Sequence, residues 1–211
     1  MGIFREKIIN PLEDFDWSDL TVAHRAIEGL LHELKNNRHW LREEFLNHSP
    51  AERFETAMSS REPTTHFKWL IFRDPRCLFE AWIHEYKGAE LLRPGYAIVP
   101  HNHVYDFTSL ILNGGFKHIS YSISRDQVDP GLVNDCRVSD EFSITKDQVY
   151  TLGSDQIHSL TEIQPQTTTM VINSRSRKPF SEEFNLITRR IVRHYPLPSR
   201  VAESYPFIDY I

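Results

Sequence analysis

The sequence predicts a mainly β protein, an antiparallel barrel or sandwich preceded by an N-terminal helical layer. Up to about Ser60, apolar residues recur at three- and four-residue steps, as they do on one face of a helix. After Pro63, eight short runs of β-branched and aromatic residues follow one another without helical spacers, which favours an antiparallel barrel over a parallel α/β sheet. A length of 211 residues fits one structural domain, with residues 1–62 as a helical segment and residues 63–211 as the barrel and its closing segment.

Helices are predicted at three places in the N-terminal segment. Between Ser18 and Leu34 the apolar positions share one helical face, and a second helix is predicted around Trp40 and Phe45. Ser49 is followed by a proline and, three residues after the serine, by a glutamate. A capping serine, a proline at the first helical position and a glutamate at the third form a specific helix-start signal.

The predicted strands are bounded by Gly, Pro and Asp residues. They are HFKWLIF, CLFEAWIHEY, YAIVPHNHVYDFTSLIL, FKHISYSIS, FSIT, VYTLG, IHSLTEI and TTTMVINS. The segment from Phe180 to Tyr195 has apolar residues at helical spacing and is predicted either as a closing helix or as a strand.

Charge and cysteine content exclude several classes of function. The formal net charge of −5 provides no broad electropositive surface for phosphate backbones or anionic lipid. The two cysteines are too few to stabilise a secreted fold of this size, and they lack CxxC spacing. No apolar stretch reaches the roughly 20 residues that a membrane span needs. We therefore expect a cytoplasmic monomer or homodimer with no nucleic-acid or membrane partner.

The stretch from Gly95 to Gly115 carries candidate metal ligands. His101 and His103 are two residues apart, so on an extended strand both imidazoles leave the same face and point together into a barrel. After His103, four residues lead to Thr108, and six more lead to Gly115. A histidine pair alone is a weak signal of a metal site, and the spacing of the flanking glycine and threonine residues makes the signal more specific.

This spacing resembles the first signature of the cupin superfamily, GxxxxxHxH followed by a glutamate and a glycine. The resemblance implies a mainly β fold, a single cupin barrel (double-stranded β-helix or jelly roll) with an N-terminal α-helical layer. Thr108 stands where the carboxylate ligand of that signature usually lies. The second signature supplies one more histidine from a later strand, and the resemblance gives that place to His158 in YTLGSDQIHSLTEI. The expected metal ligands are therefore His101, His103 and His158. His118 is the alternative to His158 if the strand register differs by one residue.

Three histidines without a carboxylate are similar to the ligand set of the cysteine dioxygenase-like thiol dioxygenases, small single-cupin iron enzymes with helices before the barrel. In that family an arginine about 25 residues before the first ligand binds the substrate carboxylate. The resemblance gives this role to Arg76, with Arg73 as the alternative. Arg175, in a basic run of the sequence, is a further candidate for substrate binding at the barrel mouth.

The resemblance also implies which residues take part in the chemistry. The predicted catalytic residues are Arg76, Tyr105 and Thr108, and either Tyr105 or Tyr150 would supply a hydroxyl near dioxygen. The cysteine that some family members crosslink to a tyrosine falls at Thr108, and MVINSRSRKPF contains no tyrosine. The substrate is therefore expected to be either a thiol or another amino-acid-derived metabolite.

The charge of the ligand set predicts the class of reaction. Three neutral imidazoles leave Fe(II) its full double positive charge and three open positions, which favours an anionic chelating substrate. We therefore expect a mononuclear non-haem Fe(II) dioxygenase or oxygenase acting on dioxygen and a small carboxylate-bearing substrate. The alternatives are a zinc- or nickel-dependent hydrolase, isomerase or lyase, because three histidines and a water also form a zinc site, and a non-catalytic cupin that binds a small ligand.

Overall fold

The computed structural model describes residues 2–60, 65–87 and 98–195, with helical elements first and strands after them. The helical elements are a π-helical turn (Arg5–Ile9), α1 (Asn10–Glu13), α2 (Leu20–Asn36), α3 (His39–Asn47) and α4 (Pro50–Ser59). The strands are β1 (His66–Arg73), β2 (Phe79–Tyr86), β3 (Phe107–Asn113), β4 (Gly115–Arg125), β5 (Val133–Thr145), β6 (Val149–Leu152), β7 (Ile157–Thr161), β8 (Thr168–Ser174), β9 (Ser181–Asn185) and β10 (Arg190–His194).

Side-chain caps fix where two of the helices begin. Helix α2 begins after Asp19, whose carboxylate accepts hydrogen bonds from the backbone N–H groups of the next turn. Helix α4 has the predicted capping box, since the Ser49 side chain accepts from the Glu52 N–H and the Glu52 carboxylate accepts from the Ser49 N–H. The predicted helix starts are therefore confirmed within two residues.

The strands pair as a jelly roll. One sheet has the order β1-β2-β8-β3-β6, another has the order β5-β4-β7, and all of their pairings are antiparallel. An isolated bridge joins His101 to His158 and thus adds the segment at His101 to the free edge of β7. Sequence-distant strands such as β2, β3 and β8 lie side by side, as jelly-roll connections require. The chain is therefore a mainly β barrel with N-terminal helices, as predicted.

Two apolar layers hold the fold together. The outer face of the larger sheet packs against the helices, where Leu31 of α2 belongs to the same cluster as Leu110 and Met170. Inside the barrel, Ile111 and Phe116 join side chains from both sheets. Leu110 and Ile111 are neighbours on β3, so their side chains point to opposite faces of the sheet and join different layers.

Two predicted segments have a different local structure from the one expected. In the described part of the run YAIVPHNHVYDFTSLIL, from Ile98 on, a strand forms only from Phe107 onward. His101 makes isolated bridges to His158 and Glu183, with irregular chain after it. The closing segment is a β-hairpin of β9 and β10, so its strand alternative is confirmed and its helical alternative is wrong. Gly95 and residues 196–211 of the predicted barrel segment lie outside the described residues. Within the described part of the chain, no helix is long and apolar enough to cross a membrane.

The contact between α2 and the sheet gives a test of the fold. Leu31 is fully buried, so Leu31→Ala should lower the free energy of unfolding by about 2–5 kcal/mol. Val22 lies on the same helix and is 57% exposed, so Val22→Ala should change it by less than about 0.5 kcal/mol. Urea denaturation of both variants measures the difference. Equal losses would contradict the packing of this helix on the barrel.

Candidate metal centre

The backbone places two of the predicted ligands opposite each other. The His101 N–H donates to the His158 carbonyl, and the His158 N–H donates to the His101 carbonyl, each over 2.9 Å. Residues that exchange both hydrogen bonds across an antiparallel pair project their side chains from the same face. The His101 and His158 rings accordingly lie with their centroids 4.5 Å apart.

The third imidazole completes a compact group of nitrogen ligands. One ring nitrogen from each of His101, His103 and His158 can be chosen so that all lie within 4.8 Å of one another. The Nε2 atoms of His103 and His158 are 2.9 Å apart. Two nitrogens at right angles on a metal with bonds of about 2.1 Å would be about 3.0 Å apart. These residues therefore fit a single transition metal, and the predicted convergence of the three histidines is found.

Hydrogen bonding orients the first ring of this group. The His101 Nδ1 atom lies 2.9 Å from the Val99 carbonyl, which can only accept a hydrogen bond. The proton therefore sits on Nδ1, and Nε2 is the His101 atom whose lone pair a metal would bind. At His158 the Nδ1 atom is buried and has no hydrogen-bond partner among the described residues.

Burial keeps these histidines neutral. Desolvation lowers the pKa of His101 to about 4. Desolvation, reinforced by neighbouring histidines, also lowers the pKa values of His103 and His158 well below the ordinary value. Metal ions bind the deprotonated ring, so the three imidazoles are in the metal-binding form at neutral pH.

Asn102, between the two candidate ligands of the HNH segment, anchors that segment from its other side. The Asn102 side-chain oxygen accepts a hydrogen bond from the Glu182 N–H over 2.8 Å, and the Asn102 N–H donates to the Glu182 carbonyl over 3.0 Å. Glu182 in turn pairs with Arg125 over 2.6 Å. Burial alone would raise the pKa of Glu182, but Arg125, Asn102 and Arg193 outweigh it and hold this pKa below its usual value.

The three histidines open into a cavity of about 170 Å³ inside the barrel. Its wall consists of histidine, tyrosine and apolar side chains with one lysine. The lining residues are His66, Lys68, His84, Tyr86, His101, His103, Tyr105, Phe107, Tyr150, His158, Leu160 and Val171. Of the predicted catalytic residues, Tyr105 borders this cavity, and its ring stacks on that of His103 with centroids 5.5 Å apart.

Thr108 lies on the opposite face of β3 from the cavity. Its hydroxyl is 2.7 Å from Nδ1 of His24 on α2 and 3.0 Å from the Thr151 hydroxyl. The neighbouring residue Phe107 faces the cavity, with its ring edge-on to His103 at 5.1 Å. Strand alternation thus puts a phenylalanine, and not Thr108, beside the histidines.

The predicted arginines are engaged outside the cavity lining. Arg76 pairs with Asp74 over 3.2 Å and donates to the Glu13 carbonyl of α1 over 2.6 Å. Arg73 ends β1 and pairs with Glu80 over 2.7 Å. Arg175 is exposed, and its backbone N–H donates to the Leu78 carbonyl. The structure therefore does not bring these three arginines to the histidine group.

Four polar cavity residues were not predicted from the sequence. His66 and Lys68 on β1 and His84 and Tyr86 on β2 line the same space. The period-two alternation of HFKWLIF puts His66 and Lys68 on one strand face, which was the available signal. The alternative ligand His118 stacks on His158 with centroids 4.9 Å apart and is not a member of the three-nitrogen group.

Comparisons with known proteins find only distant structural similarity. No protein-family model matches the sequence, and no curated protein matches it. Similar solved structures include KdgF from Halomonas sp., at 11% identity and TM-score 0.37, covering 56% of this chain and 89% of that chain. The Cnp3 cupin domain of Schizosaccharomyces pombe has 10% identity and TM-score 0.33, covering 56% of this chain and 69% of that chain. Vicilin from Solanum lycopersicum has 11% identity and TM-score 0.38, covering 64% of this chain and 33% of that chain. The description of the fold therefore rests on the strand order, and that of the candidate metal centre rests on the histidine geometry.

The anchor at Glu182 gives a pH-dependent prediction. Because the folded-state pKa lies below the unfolded value of about 4.3, the carboxylate stabilises the fold above that unfolded value. This contribution disappears as the pH falls through the folded-state pKa. Glu182→Gln should therefore lower the free energy of unfolding by about 1 kcal/mol at pH 7, and the difference from wild type should vanish in acid.

Denaturant titrations across the acidic range measure this difference. Glu162→Gln is the control, because the Glu162 side chain is 73% exposed and lies 3.5 Å from its partner Lys117. A stability difference for Glu182→Gln that persisted unchanged in acid would show that the Glu182 charge is not the source of the stabilisation.

Proposed function

We propose that His101, His103 and His158 hold one Fe(II) ion and that the protein is a mononuclear non-haem oxygenase of the cupin type. Its substrates would be dioxygen and a small anionic metabolite, either a thiol or another amino-acid-derived compound. The observation that carries the proposal is the convergence of three neutral imidazoles inside a jelly-roll barrel. When bound, Fe(II) with three neutral ligands supplies redox chemistry with dioxygen and an uncompensated double positive charge.

The cavity wall supplies a small, largely apolar environment for this chemistry. Phe107, Leu160 and Val171 line it and are all buried. Apolar walls exclude water, and a charge in such a place interacts more strongly with its partner than it does in solution. The cavity of about 170 Å³ restricts the substrate to a compact molecule.

Two tyrosines offer neutral hydroxyl groups to a bound substrate. The Tyr105 hydroxyl lies 3.4 Å from Lys68 Nζ, which can only donate, so the phenol proton is available to another acceptor. Burial raises the pKa of Tyr150, so its hydroxyl keeps its proton at neutral pH. The proposal assigns hydrogen donation to these residues and not to Arg76 or Thr108, which lie outside the cavity lining.

Metal content tests the ligand set. Protein loaded with Fe(II) under anaerobic conditions should hold about one metal per chain, and His101→Ala and His158→Phe should reduce this below about a tenth. His118→Phe is a matched control, because His118 stacks on His158 but lies outside the nitrogen group. Elemental analysis measures the content. Equal loss in His118→Phe and His158→Phe, or full retention in both, would contradict the ligand assignment.

Oxygen uptake tests the reaction class. With Fe(II) bound, we expect consumption of dioxygen in the presence of small thiols or amino-acid-derived carboxylates, and none in His158→Phe. Turnover without oxygen uptake in zinc- or nickel-loaded protein would instead assign the site to a hydrolase, isomerase or lyase. Retention of a ligand without any turnover would assign the protein to the class of ligand-binding cupins.

A further inference from the structure

Lys68 is the one cationic side chain among the described residues that line the cavity. It lies on β1 directly opposite His84 of β2, and both side chains belong to the cavity lining. The motifs around His101 and His158 do not include this wall, which β1 and β2 supply. The cavity therefore has two polar groups in its wall, the three histidines and the side chains around Lys68.

Aromatic rings hold the Lys68 ammonium in place. Its Nζ atom lies 4.9 Å from the ring centroid of Trp82 and 5.8 Å from that of Tyr105. The same atom lies 3.4 Å from the Tyr105 hydroxyl. Cation–π contacts fix the position of an ammonium without neutralising its charge. Because the Tyr105 ring also stacks on His103, this cation is placed next to the metal ligands.

The charge of Lys68 is not neutralised by a carboxylate within the ranges that the structure describes. No salt bridge joins Lys68 to an acidic side chain there, and the cavity lining has no Asp or Glu. By contrast, Arg73, Arg125 and Lys117 each pair with a glutamate. A partly buried ammonium with unused donors favours an anion that enters from outside.

A second polar atom faces the same end of the cavity. The Nε2 atom of His84 is buried and has no hydrogen-bond partner among the described residues. Buried polar atoms without partners are uncommon in folded proteins and call for a ligand or a water. The cross-strand position of His84 places this ring beside Lys68, so one small anion can reach both side chains.

We propose that Lys68, Tyr105 and His84 form a carboxylate-binding subsite for the ligand whose other end coordinates the metal at the three histidines. The inference rests on the proposed metal site and names the substrate class: a compact molecule with a metal-binding group at one end and a single carboxylate at the other. One ammonium matches the charge of one carboxylate. Lys68 therefore takes the role that the family resemblance gave to Arg76 or Arg73.

Paired probes that differ only in charge test this subsite. Anaerobic Fe(II)-loaded protein is titrated with 3-mercaptopropionate and with its neutral amide, which carries the same thiol. In wild type we expect the acid to bind about 10-fold or more tightly than the amide, as measured by calorimetry. Lys68→Met should abolish the difference and leave the affinity for the amide unchanged.

Two further variants separate the subsite from general effects of charge or folding. Lys68→Arg should keep part of the preference for the acid, because it retains the cation. Lys117→Met removes a lysine that pairs with Glu141 outside the cavity lining. This variant should keep the full preference for the acid. An equal preference for the acid in wild type and Lys68→Met, or none in iron-loaded wild type, would overturn the inference.

Iron content measured on the same samples distinguishes a failure of the proposed function from a failure of the subsite alone. Wild-type protein that holds no iron would overturn the proposed function, and the subsite inference with it. Protein that holds iron and binds the acid and the amide equally would overturn the subsite alone.

Discussion

The two-way backbone pairing of His101 with His158 is the constraint on which the candidate centre depends. It joins an irregular segment to the edge of β7, and the side chains of the paired residues must then project together. Asn102 points away and is held by Glu182, so His103 returns to the side of its neighbours. The sheet thus sets the ligand geometry through main-chain hydrogen bonds, which tolerate less variation than side-chain rotamers do.

Desolvation then sets the charge of the centre. Three clustered histidines cannot all be protonated without strong repulsion inside the barrel, and burial lowers the pKa of each. His66 and His84 on the opposite wall follow the same rule, with burial lowering the pKa of His66 to about 3. The positive charge of the loaded cavity would therefore come from the metal and Lys68, and not from its many histidines.

Local sequence patterns predicted most helices and strands, because interactions between neighbouring residues determine where those elements form. The capping box at Ser49 and the apolar face of α2 require only neighbouring residues. The helical turn before α1 was missed, although it buries Ile8 and Ile9, because five π-helical residues do not follow the α-helical period. The N-terminal part of β5 was also missed, since most of that strand is exposed and polar and shows no apolar alternation.

The candidate site was predicted only where spacing along the chain determines it. The histidine pair of the HNH segment was found, and His158 was found through the resemblance to a second signature. Arg76 had the right separation from His101, but its guanidinium binds the Glu13 carbonyl on the N-terminal helical layer. That contact joins residues far apart in the sequence, so no local sequence pattern predicts it.

Phe107 links the ligand set to the choice of substrate. In the cupin signature the next position, which is Thr108 here, supplies a carboxylate, and this carboxylate would neutralise part of the charge of a bound metal. Here the cavity-facing residue of β3 is an aromatic ring packed edge-on against His103, and the polar Thr108 turns outward to His24. A metal held by three neutral ligands keeps its full charge beside an apolar wall, where an uncompensated charge is costly. With the proposed metal bound, the missing negative charge would arrive with the substrate, and a ligand with an anionic metal-binding group at one end and a carboxylate for Lys68 at the other would satisfy both cations at once.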